Sequence, residues 1–201
     1  MKQLVVIGGG NEFPTYDAYL SHLKNFQAES VDYFKERRDW KSNLQEALGD
    51  DYEVLLPQMP CKGYARYLEW KIWFEKMFPF LNDGVILIGH SLGVSFLVNY
   101  LQHHGFPKYV LATFLVAGPY DKGDHRKMKE FMAPSAFMYF TEYAGQIFFY
   151  HSEDDPIVPF SELSKYRKHF DVGRVKMNIF ETRGHFNQET FPELVEDIKS
   201  L

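Results

Sequence analysis

With 45% hydrophobic and 17% aromatic residues, the 201-residue chain is too apolar for a disordered polymer and long enough to bury a continuous core without staples. A net charge of -5 and a calculated pI near 5.9 provide no general field for nucleic acid or for an anionic membrane surface. No apolar run reaches the roughly 18 residues a membrane span requires, and the single cysteine, Cys61, can make no internal disulfide, which fits a reducing compartment.

The apolar stretch after Met1-Lys2 is too short for a signal-peptide core, so the expected location is cytoplasmic. Repeats, low-complexity tracts and Ser/Gly linkers are absent, so residues 1–201 are expected to form one domain.

Residues 4–7, Leu-Val-Val-Ile, read as a strand buried on both faces that opens into Gly8-Gly9-Gly10. After Pro14, the residues Tyr16, Tyr19, Leu20 and Leu23 fall on one helical face. A charged stretch over 29–39 leads into Trp40, Leu44 and Leu48, a helix stopped by Gly49. Residues 52–56 form the next strand, closed by Pro57. Tyr64, Leu68 and Ile72, joined by Trp70, Trp73 and Phe74, make a helix apolar nearly all round, which predicts cover on more than one side.

Val85-Ile86-Leu87-Ile88 is the central strand, followed by Gly89-His90-Ser91-Leu92-Gly93 and a helix that Gly105 ends. A fourth strand covers 109–117, and Gly118-Pro119 breaks it. Residues 120–145 read as irregular, charged in the first half and rich in Phe and Met in the second. Strands over 146–150 and 175–180 flank a helix after Pro159, and Thr190-Phe191-Pro192-Glu193 has the spelling of a capping box that starts the last helix. Strands and helices alternate six times, which calls for a three-layer α/β fold: a mainly parallel sheet of about six strands with helices on both faces. Loops after the strands then gather at one edge, where ligands bind.

The pattern Gly-x-Ser-x-Gly at 89–93 is weak as spelling, since composition alone places it in roughly one chain in fifteen of this length. Its context between a buried strand and a helix is that of a nucleophile elbow. The competing reading is a serine that merely caps the helix. A serine nucleophile needs a base and an acid that orients it, and in this topology both come from later loops in the order Ser, acid, His. Both are present: Asp155 follows Ser91 by 64 residues, and His185 follows Asp155 by 30. Among Glu153, Asp154 and Asp155, the choice falls on Asp155 because Pro156 restricts it to an extended or turn conformation, with Asp154 next.

The developing oxyanion calls for two backbone donors. One is the N–H of Leu92; the other comes from the first loop, with Gly10 favoured and Gly9 and Asn11 as alternatives. A dinucleotide reading of that loop fails, because Phe13 stands where G-x-G-x-x-G requires glycine.

These pieces carry a resemblance. Val5-Val6-Ile7-Gly8-Gly9-Gly10-Asn11, Ile88-Gly89-His90-Ser91-Leu92-Gly93, Asp154-Asp155-Pro156-Ile157-Val158-Pro159 and Gly184-His185-Phe186 are similar in kind and order to those of α/β-hydrolases, in particular the small retinoblastoma-binding-protein-like serine hydrolases. The resemblance spans nearly the whole chain and implies Ser91 as nucleophile, Asp155 as acid and His185 as base. The first loop departs from the family pattern, with three glycines before the asparagine, and the stretch 29–40 is longer than usual.

His90 and Phe186, next to the nucleophile and the base, are expected to contact substrate. Phe137 and Met138 join them if the aromatic part of 119–145 forms a partial lid over Ser91. Cys61 reads as a small loop hydrophobe, and His103-His104 have no metal-ligand spacing. Asp121-Lys122-Gly123-Asp124-His125 lacks the ligand pattern of a calcium loop. The basic runs at 36–38, 125–129 and 165–169 read as solvated faces.

The expected activity is hydrolysis of a small carboxylic ester or thioester through an acyl-enzyme, without metal or other cofactor. No nucleic-acid or membrane partner is expected, and the oligomeric state is left open. The alternatives are acyl transfer by the same three residues, or a binding protein that keeps the hydrolase shell.

Overall fold

The computed structural model describes residues 1–35, 38–121, 130–171 and 173–201. Among these residues six strands form one sheet: β1 (Lys2–Ile7), β2 (Tyr52–Leu55), β3 (Val85–His90), β4 (Val110–Val116), β5 (Gln146–Ser152) and β6 (Val175–Phe180). Their order is β2-β1-β3-β4-β5-β6, and every neighbouring pair is parallel. This is the three-layer α/β arrangement that the alternation predicts.

Among the described residues seven helices accompany the sheet: α1 (Tyr16–Asn25), α2 (Trp40–Leu48), α3 (Tyr67–Glu75), α4 (Leu92–His104), α5 (Met138–Tyr143), α6 (Ser161–Arg167) and α7 (Pro192–Lys199). Alternation along the strands sends side chains into two separate cores. Val5, Ile7, Val85 and Leu87 pack on the face covered by α3, α4, α5 and α6, with Trp70, Phe74, Phe96 and Tyr166. Leu4, Val6, Ile86 and Ile88 pack on the opposite face with Trp40, Leu44, Leu194 and Ile198 of α2 and α7. Burial on both faces explains why β1 and β3 are continuous apolar runs rather than alternating ones.

From β1 the chain crosses one face to β2, then returns over the other face to β3 on the far side of β1. The loops after β1 and β3 therefore diverge at the carboxyl edge, the place where this fold class binds ligands.

Several local expectations are corrected. α3 buries Trp70 and Phe74 but leaves Leu68, Ile72 and Trp73 about half exposed or more, because among the described residues nothing packs on its outer side. α1 buries no residue; its Tyr19 ring stacks on Tyr64, while Tyr16 meets Tyr64 edge-on and lies tilted against Tyr19. The Thr190 capping box does not form: Phe191 is the residue before α7, no side chain caps it, and Glu193 instead pairs with Arg183. The part of 120–145 read as irregular contains α5, and 122–129 lie outside the described residues, as do Glu36, Arg37 and Val172. The Asp121-to-His125 stretch and the basic runs at 36–38 and 125–129 fall wholly or largely there. Lys165, by contrast, forms ion pairs with Asp121 and Glu162. Among the described residues no helix is long and apolar enough to cross a membrane.

Candidate active site

Both glycines of the 89–93 segment are required by contact. A Cβ on Gly89 would stand 2.8 Å from the Val94 nitrogen, and one on Gly93 would stand 2.1 Å from the Ile7 carbonyl oxygen, so only glycine lets α4 start this close to β1 and β3. The price of the tight turn appears at the serine. Ser91 has φ 56 and ψ -122, a conformation that costs an L-residue on the order of 1–3 kcal/mol and that clusters at active sites. Its N–H donates to the Val116 carbonyl at 2.9 Å, and its own carbonyl accepts from Val94 N–H at 2.9 Å. The side chain makes no capping bond, so the helix-cap reading of this serine is set aside.

The acid and the imidazole come from the loops after β5 and β6. Asp155, buried, accepts a 2.8 Å hydrogen bond on Oδ2 from His185 Nδ1–H. Its other oxygen accepts the N–H groups of Ile157 at 2.8 Å and Val158 at 2.9 Å, a turn that Pro156 helps to set. Burial pushes the Asp155 carboxyl up, but the bond from His185, the two backbone N–H groups and the imidazole charge outweigh it and hold the group below the ordinary carboxylate range. With Nδ1–H committed to Asp155, the unprotonated form of the His185 ring has its accepting lone pair on Nε2, as a general base requires. Among the described residues Ser91 Oγ makes no hydrogen bond; the link from hydroxyl to imidazole is one that often tightens only when substrate is bound.

Asp154 has a different place. Its Oδ1 accepts from Ser152 Oγ–H at 2.6 Å and from Gly184 N–H at 2.8 Å, tying the acid loop to the histidine loop. Those two bonds lower its pKa.

The donors for an oxyanion are also narrowed. Leu92 and Gly93 open α4, and the first N–H groups of a helix have no carbonyl one turn earlier to meet. In the first loop, a Cβ on Gly9 would lie 3.1 Å from Ser91 Cβ and 3.5 Å from Oγ, whereas one on Gly10 would meet the Lys62 carbonyl oxygen at 2.8 Å. Gly9 is thus the glycine beside the serine. Asn11 drops out as a donor because its N–H is spent on the Lys62 carbonyl at 2.7 Å.

The four expected substrate contacts are corrected. His90 is buried beneath His185, ring centroids 4.9 Å apart; its Nε2–H donates to the His185 carbonyl at 2.9 Å, and its Nδ1 faces Lys41 Nζ at 3.4 Å. Burial first, then the charges of Lys41 and His185, push the His90 pKa well below the usual histidine value, so the ring is neutral. Phe186 is 1% exposed and packs among Phe180 and Phe191. Phe137 is buried against Tyr120, His169 and Phe170. Met138 follows it into α5, whose Phe140 N–H bonds Gln102 Oε1 near the far end of α4. Gln102 is ten positions past Leu92, or about 15 Å along the helix, so Phe137 and Met138 do not stand over Ser91.

Two contributors escape sequence reading. Trp40 Nε1–H donates to the Phe186 carbonyl at 2.9 Å, and Trp40 N–H donates to the Gln188 carbonyl at 2.8 Å. His151, buried at the end of β5, donates through Nε2–H to the Val158 carbonyl at 2.9 Å behind the acid loop. Trp40 is legible only as the first residue of an apolar face, and His151 only as a strand end. Among the described residues no cluster of His, Cys, Asp and Glu is arranged to hold a metal ion.

A family model described as serine hydrolase matches residues 34–196. The serine hydrolase RBBP9 of Rattus norvegicus is 26% identical over 152 residues, covering 75% of this chain and 78% of the relative. Among solved structures, the ydeN gene product of B. subtilis superposes with a TM-score of 0.73 at 20% identity, covering 100% of this chain and 98% of that one. A ydeN-like hydrolase from Pectobacterium atrosepticum gives 0.68 at 13% identity, over 99% of this chain and 90% of the other.

Proposed function

The chain belongs to the serine hydrolase family, and from that premise we propose that it cleaves a small carboxylic ester or thioester through an acyl-enzyme on Ser91. The observation that carries the reading is the 2.8 Å bond between His185 Nδ1 and Asp155 Oδ2 at the sheet edge where Ser91 sits at positive φ. In the proposed sequence, His185 Nε2 takes the Ser91 hydroxyl proton as Oγ attacks the acyl carbon. The tetrahedral oxyanion is met by the Leu92 N–H and by Gly10 or Gly9 of the first loop. Collapse breaks the bond to the leaving oxygen or sulfur, which receives the proton from His185. A water, deprotonated by the same imidazole, then attacks the acyl carbon; release of Oγ, with return of the proton, frees the acid.

The lone Cys61 fits a reducing compartment, and a cytoplasmic setting goes with the proposal. The test is a series of aryl esters and acyl thioesters of increasing chain length given to the wild type and to Ser91→Ala. Release of one equivalent of free acid per turnover, lost in Ser91→Ala, is the expected result. Turnover unchanged by Ser91→Ala would overturn the proposal, and transfer of the acyl group to a non-water acceptor would replace hydrolysis with acyl transfer.

A further inference from the structure

The loop carrying His185 is strained at one residue, Phe186, a bulky aromatic at positive φ. Gly184 has φ 53 and Phe186 has φ 52, so the base sits between two left-handed residues, one of them a bulky aromatic. Such a backbone persists only when its surroundings over-determine it. Besides the bonds that Phe186 N–H and Gln188 Nε2–H make to the Arg183 carbonyl within the loop, support comes from outside it. The carbonyls of His185, Phe186 and Gln188 accept, in turn, His90 Nε2–H at 2.9 Å, Trp40 Nε1–H at 2.9 Å and Trp40 N–H at 2.8 Å. Three carbonyls of the catalytic-loop backbone are therefore held by two residues, His90 through its side chain at the end of β3 and Trp40 through both its indole and its backbone N–H at the start of α2.

The donor at His90 is itself selected. A neutral imidazole has one N–H, and which nitrogen carries it depends on the partner of the other. Lys41 is an ammonium donor 3.4 Å from Nδ1 and is held in place by an ion pair with Asp39. It has no acceptor capacity, so it stabilises the tautomer with the proton on Nε2. That proton is the one aimed at the His185 carbonyl. The arrangement explains why a histidine immediately before the nucleophile is buried rather than turned to substrate.

We propose that His90, with its tautomer set by Lys41, is a positioning residue that acts with Trp40 to hold the His185 backbone and so aim the imidazole at Ser91. The inference rests on the reading of Ser91 and His185 as nucleophile and base. Its structural part, the hold on the histidine loop, can be measured separately from turnover.

His90→Leu fills similar space without a donor, whereas His90→Gln places an amide N–H where Nε2–H stood. His90→Leu should lower kcat roughly 10- to 100-fold with KM nearly unchanged, because misplacement of a base by about 1 Å acts on the chemical step. His90→Gln should recover most of the loss. Proton NMR supplies a readout independent of activity: the downfield resonance of the proton shared by His185 and Asp155 should be present in wild type and His90→Gln and broadened or lost in His90→Leu. If His90→Leu does not fold, Lys41→Met carries the test. It should shift the same resonance and lower kcat in the same direction.

A His90→Leu protein with wild-type kcat and an unaltered resonance would overturn the proposal. Equal loss of kcat and resonance in His90→Gln and His90→Leu would also overturn it, as would a Lys41→Met protein identical to wild type in both. A wild type that hydrolyses no ester yet shows the predicted NMR pattern would refute the proposed function and leave the hold on the loop standing.

Discussion

His185 reaches Asp155 across 2.8 Å, and the oxygen of Asp155 that His185 does not use is bound by Ile157 N–H and Val158 N–H. The carboxylate is thus fixed from both sides: one oxygen is locked to its own loop, which leaves the other with a single direction in which to accept. An imidazole bonded to it is oriented by the acid loop as much as by its own.

This separates the roles of two neighbouring carboxylates. Asp155→Asn should lower kcat by roughly 10³- to 10⁴-fold, because the amide can offer an N–H to Nδ1 and favour the wrong tautomer. Asp154→Asn keeps an acceptor for Gly184 N–H and should cost less than about tenfold. Steady-state kinetics on the two variants checks this; equal losses would contradict the assignment.

The lowered pKa of Asp155 is also a statement about stability. A carboxyl whose folded pKa lies below its unfolded value binds protons more weakly when folded, so folding is favoured at pH above the ordinary value of about 4. That contribution is lost as pH falls through the folded pKa. The stability difference between wild type and Asp155→Asn, from urea unfolding, should therefore be largest near neutrality and shrink below about pH 4. A difference that grows on acidification would have the wrong sign.

Gly93→Ala tests the elbow as packing. Its Cβ would overlap the Ile7 carbonyl at 2.1 Å, which forces backbone rather than a side-chain tip to move. The expected cost is about 2–4 kcal/mol, a fall in Tm of roughly 5–15 °C by differential scanning calorimetry. A Tm within a degree or two of wild type would mean that α4 does not approach β1 as closely as described.

Phe186 and Met138 separate core from surface. Phe186→Ala removes a fully buried ring and should destabilise by about 3–5 kcal/mol. Met138→Ala, at an exposed position on α5, should leave both stability and acyl-chain preference within error of wild type. A changed chain-length profile in Met138→Ala would restore a substrate-facing role for that residue.

The pattern of what was readable in advance follows from physics. β1 and β3 announce themselves because strands buried on both faces must be apolar throughout, and Gly89 and Gly93 because backbone closeness excludes any side chain. The pairing of Asp155 with His185 is legible because parallel strands deliver successive loops to one edge, the edge at which Ser91 also stands. The misplaced residues fail for a shared reason. Phe186, Phe137 and His90 are chemically suited to contact a ligand, yet only tertiary packing decides whether an aromatic ring faces a crevice or a core. Sequence spacing likewise cannot show that Trp40, 146 positions earlier, would hold the carbonyl beside His185. The exposed side of α3 is the reverse case, where apolar composition implied cover that the described residues do not provide.

The central claim is that Ser91 is an activated nucleophile. Its most direct measurement is intact-mass analysis, with peptide mapping, after treatment with an alkyl fluorophosphonate. One adduct on Ser91 in the wild type, none in Ser91→Ala and a much slower adduct in His185→Ala is the predicted outcome. A wild type that stays unlabelled, or an adduct that persists in Ser91→Ala, would contradict it.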